Sequence, residues 1–324
     1  MGDISQSASL GQTVFNGPIA FPGLGLQFDP DKQVFGTFIH WYGVIIALGF
    51  LLAILAGIKL IRREGLKEDT LFDIVIIGTP SAIVGARLYY VIFAFDQYKN
   101  NLLDIFKIWE GGLAIYGGII GAVLSTVIYC HVKKIKLTKI LDVGAVGLII
   151  GQAVGRWGNF INREAFGSHA SSLLPWRMRL YTDAAMSTWA DVHPTFLYES
   201  LWCVGVLCVL LWLYRKKKFD GQIFLSYVLL YGLGRFWIEG LRTDSLYIGP
   251  VRVSQLLALL SAIAALVLLL RCYKRAKSGM YGTAPAAPEI SENPPAEAAA
   301  PADDMQQRPQ PPDSDCPQQK EQQL

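Results

Sequence analysis

Long apolar runs separated by short charged blocks organise the chain: near residues 39–61, 71–95, 112–132, 139–155, 198–214, 222–241 and 253–271. A helix needs about 20 mostly apolar residues to cross hydrocarbon. Each run approaches that length, the fourth being short and rich in glycine. The pattern predicts an all-α integral membrane protein with seven transmembrane helices, occupying residues 39–272. Residues 1–38, with several Gly, Pro and aromatic residues, are expected to form an arm along the outer surface. Residues 168–192 carry Ser, Pro, Trp and Arg with no strong helical period, and read as a small extracytoplasmic head with room for strand. Residues 273–324 hold many Pro, Ala, Gln and acidic residues and few large apolar ones, so they cannot bury enough surface to fold alone. They are expected to be a disordered cytoplasmic tail.

Composition agrees with the membrane class: 52% of the 324 residues are hydrophobic and only 17% charged. The net charge of +3 gives no reason to expect a nucleic acid partner. The five cysteines are scattered, with neither disulfide pairing nor metal-ligand spacing, and no nucleotide-binding glycine loop or zinc-protease motif is visible. No metal or organic cofactor is expected.

Topology follows from lysine and arginine, which stay on the cytoplasmic side. Lys59, Arg62, Arg63 and Lys67 follow the first run, Lys133, Lys134, Lys136 and Lys139 the third, Arg215, Lys216, Lys217 and Lys218 the fifth, and Arg271, Lys274, Arg275 and Lys277 the seventh. With an odd number of spans, the N-terminus lies outside and the C-terminus in the cytoplasm. Residues 1–38 lack a basic start followed by an apolar core, so the first span is expected to direct insertion itself.

Away from those clusters the basic residues are mainly arginines: Arg87, Arg156, Arg163, Arg177, Arg179, Arg235, Arg242 and Arg252. Arginine in such places points to oxyanion recognition, because its planar fork grips phosphate or carboxylate and stays charged when buried. Pairing with glutamate for assembly is the plainer alternative. Arg87 is expected to need an acid or a phosphate.

The densest polar stretch is GRWGNFINREAFG, residues 155–167, which brings Arg156, Asn159, Asn162, Arg163 and Glu164 to the edge of an apolar run. Ionisable groups there cost about 2.5 to 3.5 kcal/mol, so they need partners, water or a ligand. In the sixth run Tyr231, Arg235, Glu239 and Arg242 recur at helical spacing and line one stripe, in which Glu239 can hold both arginines. Glu199 stands one turn into the fifth run and can neutralise an arginine from another span. Tyr42 reads either as part of an interfacial aromatic belt or as a site residue. Tyr116 sits between glycine pairs that serve either a broken helix or close helix packing. Asp142 is expected to cap the fourth helix, and His193 is a secondary candidate base.

GRWGNFINREAFG resembles the signature of bacterial prolipoprotein diacylglyceryl transferases. HWYG (residues 40–43), GGLAIYGG (111–118), HPTFLYES (193–200) and the Tyr231 to Arg242 stripe look like that family's other blocks, in the same order, over residues 38–272. The resemblance implies transfer of a diacylglyceryl group from phosphatidylglycerol to the thiol of the lipobox cysteine in a preprolipoprotein signal peptide. A thioether would form and glycerol 1-phosphate would leave, as the first step of lipoprotein maturation at the bacterial plasma membrane. Tyr42, Arg156, Asn159, Glu164, Gly167, Glu199, Tyr231, Arg235, Glu239 and Arg242 match positions of functional residues in the family. Many members carry a histidine where this chain has Tyr116, and a phenol with a pKa of about 10 is a poor base. For such a reaction Arg156 and Arg235 are expected to grip the phosphate, Glu239 and Arg242 to orient Arg235, and Tyr116, Tyr231 and Asn159 to hydrogen-bond the headgroup. A transporter of organic anions would also gather arginines, but such folds carry paired repeats and none is visible.

Cysteines introduced near Lys217 and near Ser187 are expected to react with an impermeant reagent from opposite sides of the membrane. Labelling of both from one side would end the seven-span topology.

Overall fold

The computed structural model describes residues 17–36, 39–99, 101–181, 188–242, 247–248 and 251–278. Residues 273–277, expected to open the disordered tail, are instead helical; the rest of that tail from residue 279, the first sixteen residues of the expected outer arm and residues 182–187 of the head lie outside the described residues.

The apolar runs become helices α1 (Trp41–Arg63), α2 (Glu68–Phe93), α3 (Ile115–Val132), α4 (Leu137–Asn162), α5 (Thr195–Arg215), α6 (Gln222–Glu239) and α7 (Val253–Lys277). Six of these are long and apolar enough to cross a membrane. The exception is the 18-residue α6, whose Gln222, Ser226, Tyr227, Tyr231, Arg235 and Glu239 dilute its apolar character. Large apolar side chains such as Leu55, Ile76, Ile92, Leu201 and Leu257 are exposed on the outer faces, as lipid-facing positions would be.

α4 lies at the centre, packed against α1, α5 and α6, while α3 packs on α2 and α7 on α6. Small residues allow the close approach. A Cβ at Gly158 would fall 2.6 Å from the Tyr42 ring, and one at Gly117 would fall 2.3 Å from the Gly85 carbonyl oxygen. The core between α1, α4, α5 and α6 includes Ile61, Val146, Ile149, Val206, Leu210 and Ile223.

The chain is mostly, but not wholly, helical. Strands β1 (Ile19–Phe21), β2 (Leu26–Phe28), β3 (Met178–Tyr181) and β4 (Trp189–Val192) form an antiparallel sheet in the order β2-β1-β3-β4. Two-residue strands β5 (Tyr247–Ile248) and β6 (Val251–Arg252) pair separately. The outer arm is therefore part of the head rather than a strap beside it. Alternation explains the pairing: Ile19, Phe21, Met178, Leu180 and Val192 are buried together, against Phe196 at the start of α5.

Three local expectations change. α4 continues past residue 155 to Asn162, so Arg156 and Asn159 belong to its last turns. Asp142 does not cap its own helix. Its carboxylate accepts from the Gly221 and Phe224 amides, both at 2.8 Å, and so caps the start of α6. Lys217 Nζ joins Asp142 at 2.8 Å to Glu64 at 2.6 Å, which ties the α1, α4 and α5 ends together on the lysine-rich side. Arg87, finally, is engaged by backbone carbonyls. Its guanidinium donates to the carbonyls of Asp104, Ile105 and Lys107 and of Gly111 and Gly112, at 2.6 to 3.3 Å, and holds the loop before α3.

In the head, Arg179 hydrogen-bonds Asp191 at 2.6 Å and Arg177 does so at 2.9 Å. The Arg179 contact, above all, keeps the Asp191 carboxyl below the ordinary carboxylate range. Folded Asp191 thus binds fewer protons than the unfolded residue. Its contribution is complete above about pH 4 and fades as pH falls through the lowered value. Asp191→Asn is expected to melt lower at pH 7 and to lose part of the acid sensitivity between pH 5 and 2. Thermal unfolding in detergent across that range checks this, and an unchanged acid limb would refute it.

Candidate functional site

The polar groups of α4, α5 and α6 converge at the end opposite the Lys217 cluster. α4 stops at Asn162 because Arg163 adopts the left-handed conformation (φ 59°, ψ 39°). There the Arg163 amide bonds Phe160 and the Glu164 amide bonds Asn159. Ala165 is also left-handed, at φ 56°. Two non-glycine residues in this region cost about 1 to 3 kcal/mol each, so surrounding contacts must hold them. The buried Arg163 guanidinium supplies some: it bonds the Gly17, Ile161 and Pro30 carbonyls and Asp29, at 2.8 to 3.2 Å. Arg163 is thereby spent on anchoring the arm.

The turn aims Glu164 back at its own helix, where Asn159 donates at 2.8 Å and Asn162 at 3.3 Å. Asn159 accepts in turn from Arg156 at 3.3 Å. Gly167 is required by close approach. It bridges to Arg242, its amide bonds the His193 carbonyl at 2.9 Å, and a Cβ there would meet His193 at 2.7 Å.

Glu199 is the hub. Its carboxylate meets Arg156 at 2.5 Å, Arg235 at 2.9 Å and Arg242 at 3.4 Å. Arg235 also reaches Glu239 at 2.6 Å, one turn along α6. Glu239 accepts from Ser254 Oγ at 2.8 Å, and Arg252 donates to its backbone carbonyl. α6 ends at Glu239, so Arg242 lies past the helical stripe and reaches Glu199 on α5. The carboxylates are nearly sealed, with side chains 5% and 2% exposed, while Arg156 and Arg235 keep 21% and 22%. Among the described residues, three guanidiniums around two carboxylates leave one positive charge in excess. Counting Arg252 on one side and Glu164 on the other leaves that excess unchanged. The exposed edges of Arg156 and Arg235 are chemically able to donate to an oxyanion.

Tyr231 lies beside this cluster, within electrostatic range of Arg156, Arg235 and Glu199, its ring stacked on Tyr227 at 5.6 Å. Tyr42 covers Gly158, on the turn of α4 that carries Asn159. The fold does not bring Tyr116 into the cluster. It is 61% exposed on α3, with the ring 6.5 Å from that of Tyr89. The glycines beside it serve helix packing: Gly117 and Gly121 lock α3 onto Gly85 and Ser81 of α2. His193 Nδ1 meets Tyr198 Oη at 3.3 Å, and burial, with His169 adding, pushes the imidazole below its usual pKa. Arg177 and Arg179 are tied to Asp191. Among the described residues no set of three His, Cys, Asp or Glu converges as a metal site.

Sequence reasoning missed Gln152, Tyr227 and Ser254. The first two stand four residues before Arg156 and Tyr231, and extending the helical stripes backward finds them. Ser254 follows a loop and has no such signal. An open apolar groove of about 820 Å³ runs beside the cluster, lined by Phe28, Ile45, Leu48, Val154, Trp157 and Val204 among others. Trp157 and Ser200, neighbours of Arg156 and Glu199, hydrogen-bond each other at 3.2 Å in its wall.

Comparison with known proteins places this arrangement in context. The family profile described as prolipoprotein diacylglyceryl transferase matches residues 33–271. A Finegoldia magna protein named phosphatidylglycerol–prolipoprotein diacylglyceryl transferase is 47% identical over 244 residues, covering 75% of this chain and 94% of the relative. Proteins of the same name from Clostridioides difficile (43% over 247 residues, 76% and 96%) and Listeria innocua (45% over 260 residues, 79% and 93%) are similar to comparable extents.

Glu199→Gln keeps the shape but leaves three guanidiniums facing one carboxylate. Breaking a buried ion pair costs about 3 to 5 kcal/mol. The variant is expected to melt well below the parent in detergent and Glu199→Asp to fall between them; equal melting of all three would remove Glu199 as the hub.

Proposed function

The chain belongs to the prolipoprotein diacylglyceryl transferase family and transfers a diacylglyceryl group from phosphatidylglycerol to a prolipoprotein; we propose that the arginine cluster around Glu199 is where it does so. One observation carries the assignment: Arg156 and Arg235 are held by sealed carboxylates yet keep their own edges open. A phosphate seated there takes charge-assisted hydrogen bonds from two forks whose positions are already set.

The reaction follows from that seat. The acceptor is the thiol of the lipobox cysteine. Its sulfur forms a bond to the glycerol carbon of the diacylglyceryl group while the bond from that carbon to the phosphate oxygen breaks. The electron pair leaves with the phosphate, as glycerol 1-phosphate, and the product is a thioether. Negative charge grows on the departing phosphate, so fixed guanidiniums stabilise the transition state more than the bound lipid. A free thiol has a pKa of about 8.5, and nearby arginines favour thiolate. The step therefore needs little from a general base. The thiol proton passes to solvent, and Tyr116, out on α3, is given no part in accepting it.

Glu239, through Arg235, and Glu199, through Arg156, Arg235 and Arg242, act as positioning residues. Asn159 and Tyr231 offer hydrogen bonds to the headgroup. Glu164 fixes Asn159, Gly167 lets the head close over the cluster, and Tyr42 walls the α1 side. The apolar groove beside Trp157 suits the donor's acyl chains, which then need not leave a lipid-like environment.

All seven helices span the membrane in this reading, α6 shielded by its packing against α4, α5 and α7. The basic residues that end α1, α5 and α7 and follow α3 face the cytoplasm, which puts the site near the outer leaflet, where both lipid and signal peptide arrive laterally.

Purified protein incubated with phosphatidylglycerol and a lipobox peptide is expected to give a thioether product detectable by mass. Arg235→Lys keeps the charge but loses the fork, and should lower turnover by about 10²-fold, as removal of one transition-state donor does. Full activity in that variant would overturn the clamp.

A further inference from the structure

A second polar layer lies one to two helical turns beneath the arginines, toward the lysine-rich side. It consists of Gln152 on α4, Cys203 on α5, and Tyr227 with Tyr231 on α6. Gln152 precedes Arg156 by four residues, as Tyr227 precedes Tyr231 and Tyr231 precedes Arg235, and Cys203 follows Glu199 by four on the antiparallel α5. All therefore share the faces that carry the cluster.

Gln152 Nε2 donates to Tyr227 Oη at 2.9 Å. Its Oε1 is buried with no hydrogen-bond partner among the described residues. A buried carbonyl oxygen left unmatched costs about what a lost hydrogen bond costs, so it is a rare feature, and here it sits beside the proposed phosphate seat. An acceptor in this place selects what it can bind. Ester carbonyls and phosphate oxygens of a phospholipid are themselves acceptors and cannot satisfy it. A hydroxyl can.

Resting on the phosphate seat proposed above, we infer that Gln152 Oε1 accepts a hydrogen bond from a hydroxyl of the donor's glycerol headgroup, making Gln152 a specificity-determining residue for phosphatidylglycerol. The reach fits. One turn of helix advances about 5.4 Å, and side chains lean toward the helix N-terminus, so Arg156 tilts back toward the Gln152 layer. That gap is the span of a three-carbon headgroup beyond its phosphate. Tyr227 fixes the amide by holding its other end, and Tyr231, stacked on Tyr227, closes the layer on the α6 side.

The test compares phosphatidylglycerol with phosphatidylpropanol, which has the same phosphate and a three-carbon headgroup without hydroxyls. Transfer to a lipobox peptide is followed by mass in the parent, in Gln152→Leu and in Gln152→Leu/Tyr227→Phe. The double variant replaces both polar partners with apolar ones and so leaves nothing buried unmatched. The parent should prefer phosphatidylglycerol, and in both variants the ratio of kcat/KM for the two lipids should fall about tenfold, the worth of one good hydrogen bond. An unchanged ratio, with both lipids slowed by the same factor, would mean that the amide serves packing or a bound water and would overturn the inference. The phosphate seat is judged separately, by Arg235→Lys on phosphatidylpropanol: loss of turnover there with an unchanged ratio in the Gln152 variants would sink this inference and leave the seat intact.

Discussion

A carboxylate withdrawn from water inside an apolar bundle is costly unless cations and hydrogen bonds surround it, and Glu199 meets that demand by drawing three arginines from separate parts of the chain. Arg156 comes from the last turns of α4, Arg235 from α6 and Arg242 from the loop after it. The need to satisfy one buried charge thus fixes three helix ends relative to one another. The burial is asymmetric, with the acids sealed and the guanidiniums partly open. That asymmetry is the observation on which the proposed phosphate seat rests.

The opposite ends of the same helices are fixed by a mirror arrangement. There Lys217 is the buried cation, between Asp142 and Glu64, and Tyr214 adds a hydrogen bond to Glu64 at 2.7 Å. Asp142 also caps α6. Polar networks at both ends fix the register of α4, α5 and α6 in a way that apolar packing between them does not. The proposed phosphate seat gains from such support, because binding geometry must hold to within a fraction of an ångström.

Much of this was legible from the chain alone. The seven apolar runs became seven helices, because hydropathy over about 20 residues reports directly on what can sit in lipid. Even α6, the one helix not apolar enough by itself, was visible as a polar stripe at helical spacing. The residues around 155–167 stood out because charge at the end of an apolar run needs a physical reason. Strand pairing between the arm and the head was not visible. Those strands have three or four residues each, and their partners are more than 150 positions apart.

The sequence by itself determined where arginines enter the bundle and at which helix ends the lysines gather. The tertiary structure alone decided what each arginine does. Arg87 and Arg163 are largely occupied by backbone carbonyls, whose positions depend on the path of a loop and carry no residue-type signal. Asp142 caps a helix 79 residues away instead of its own, because the start of α6 is brought beside it. Tyr116 was drawn outward by its glycines, which had to face α2. Long-range proximity, set by how helices pack, separated the arginines that hold the fold from those left open to a ligand.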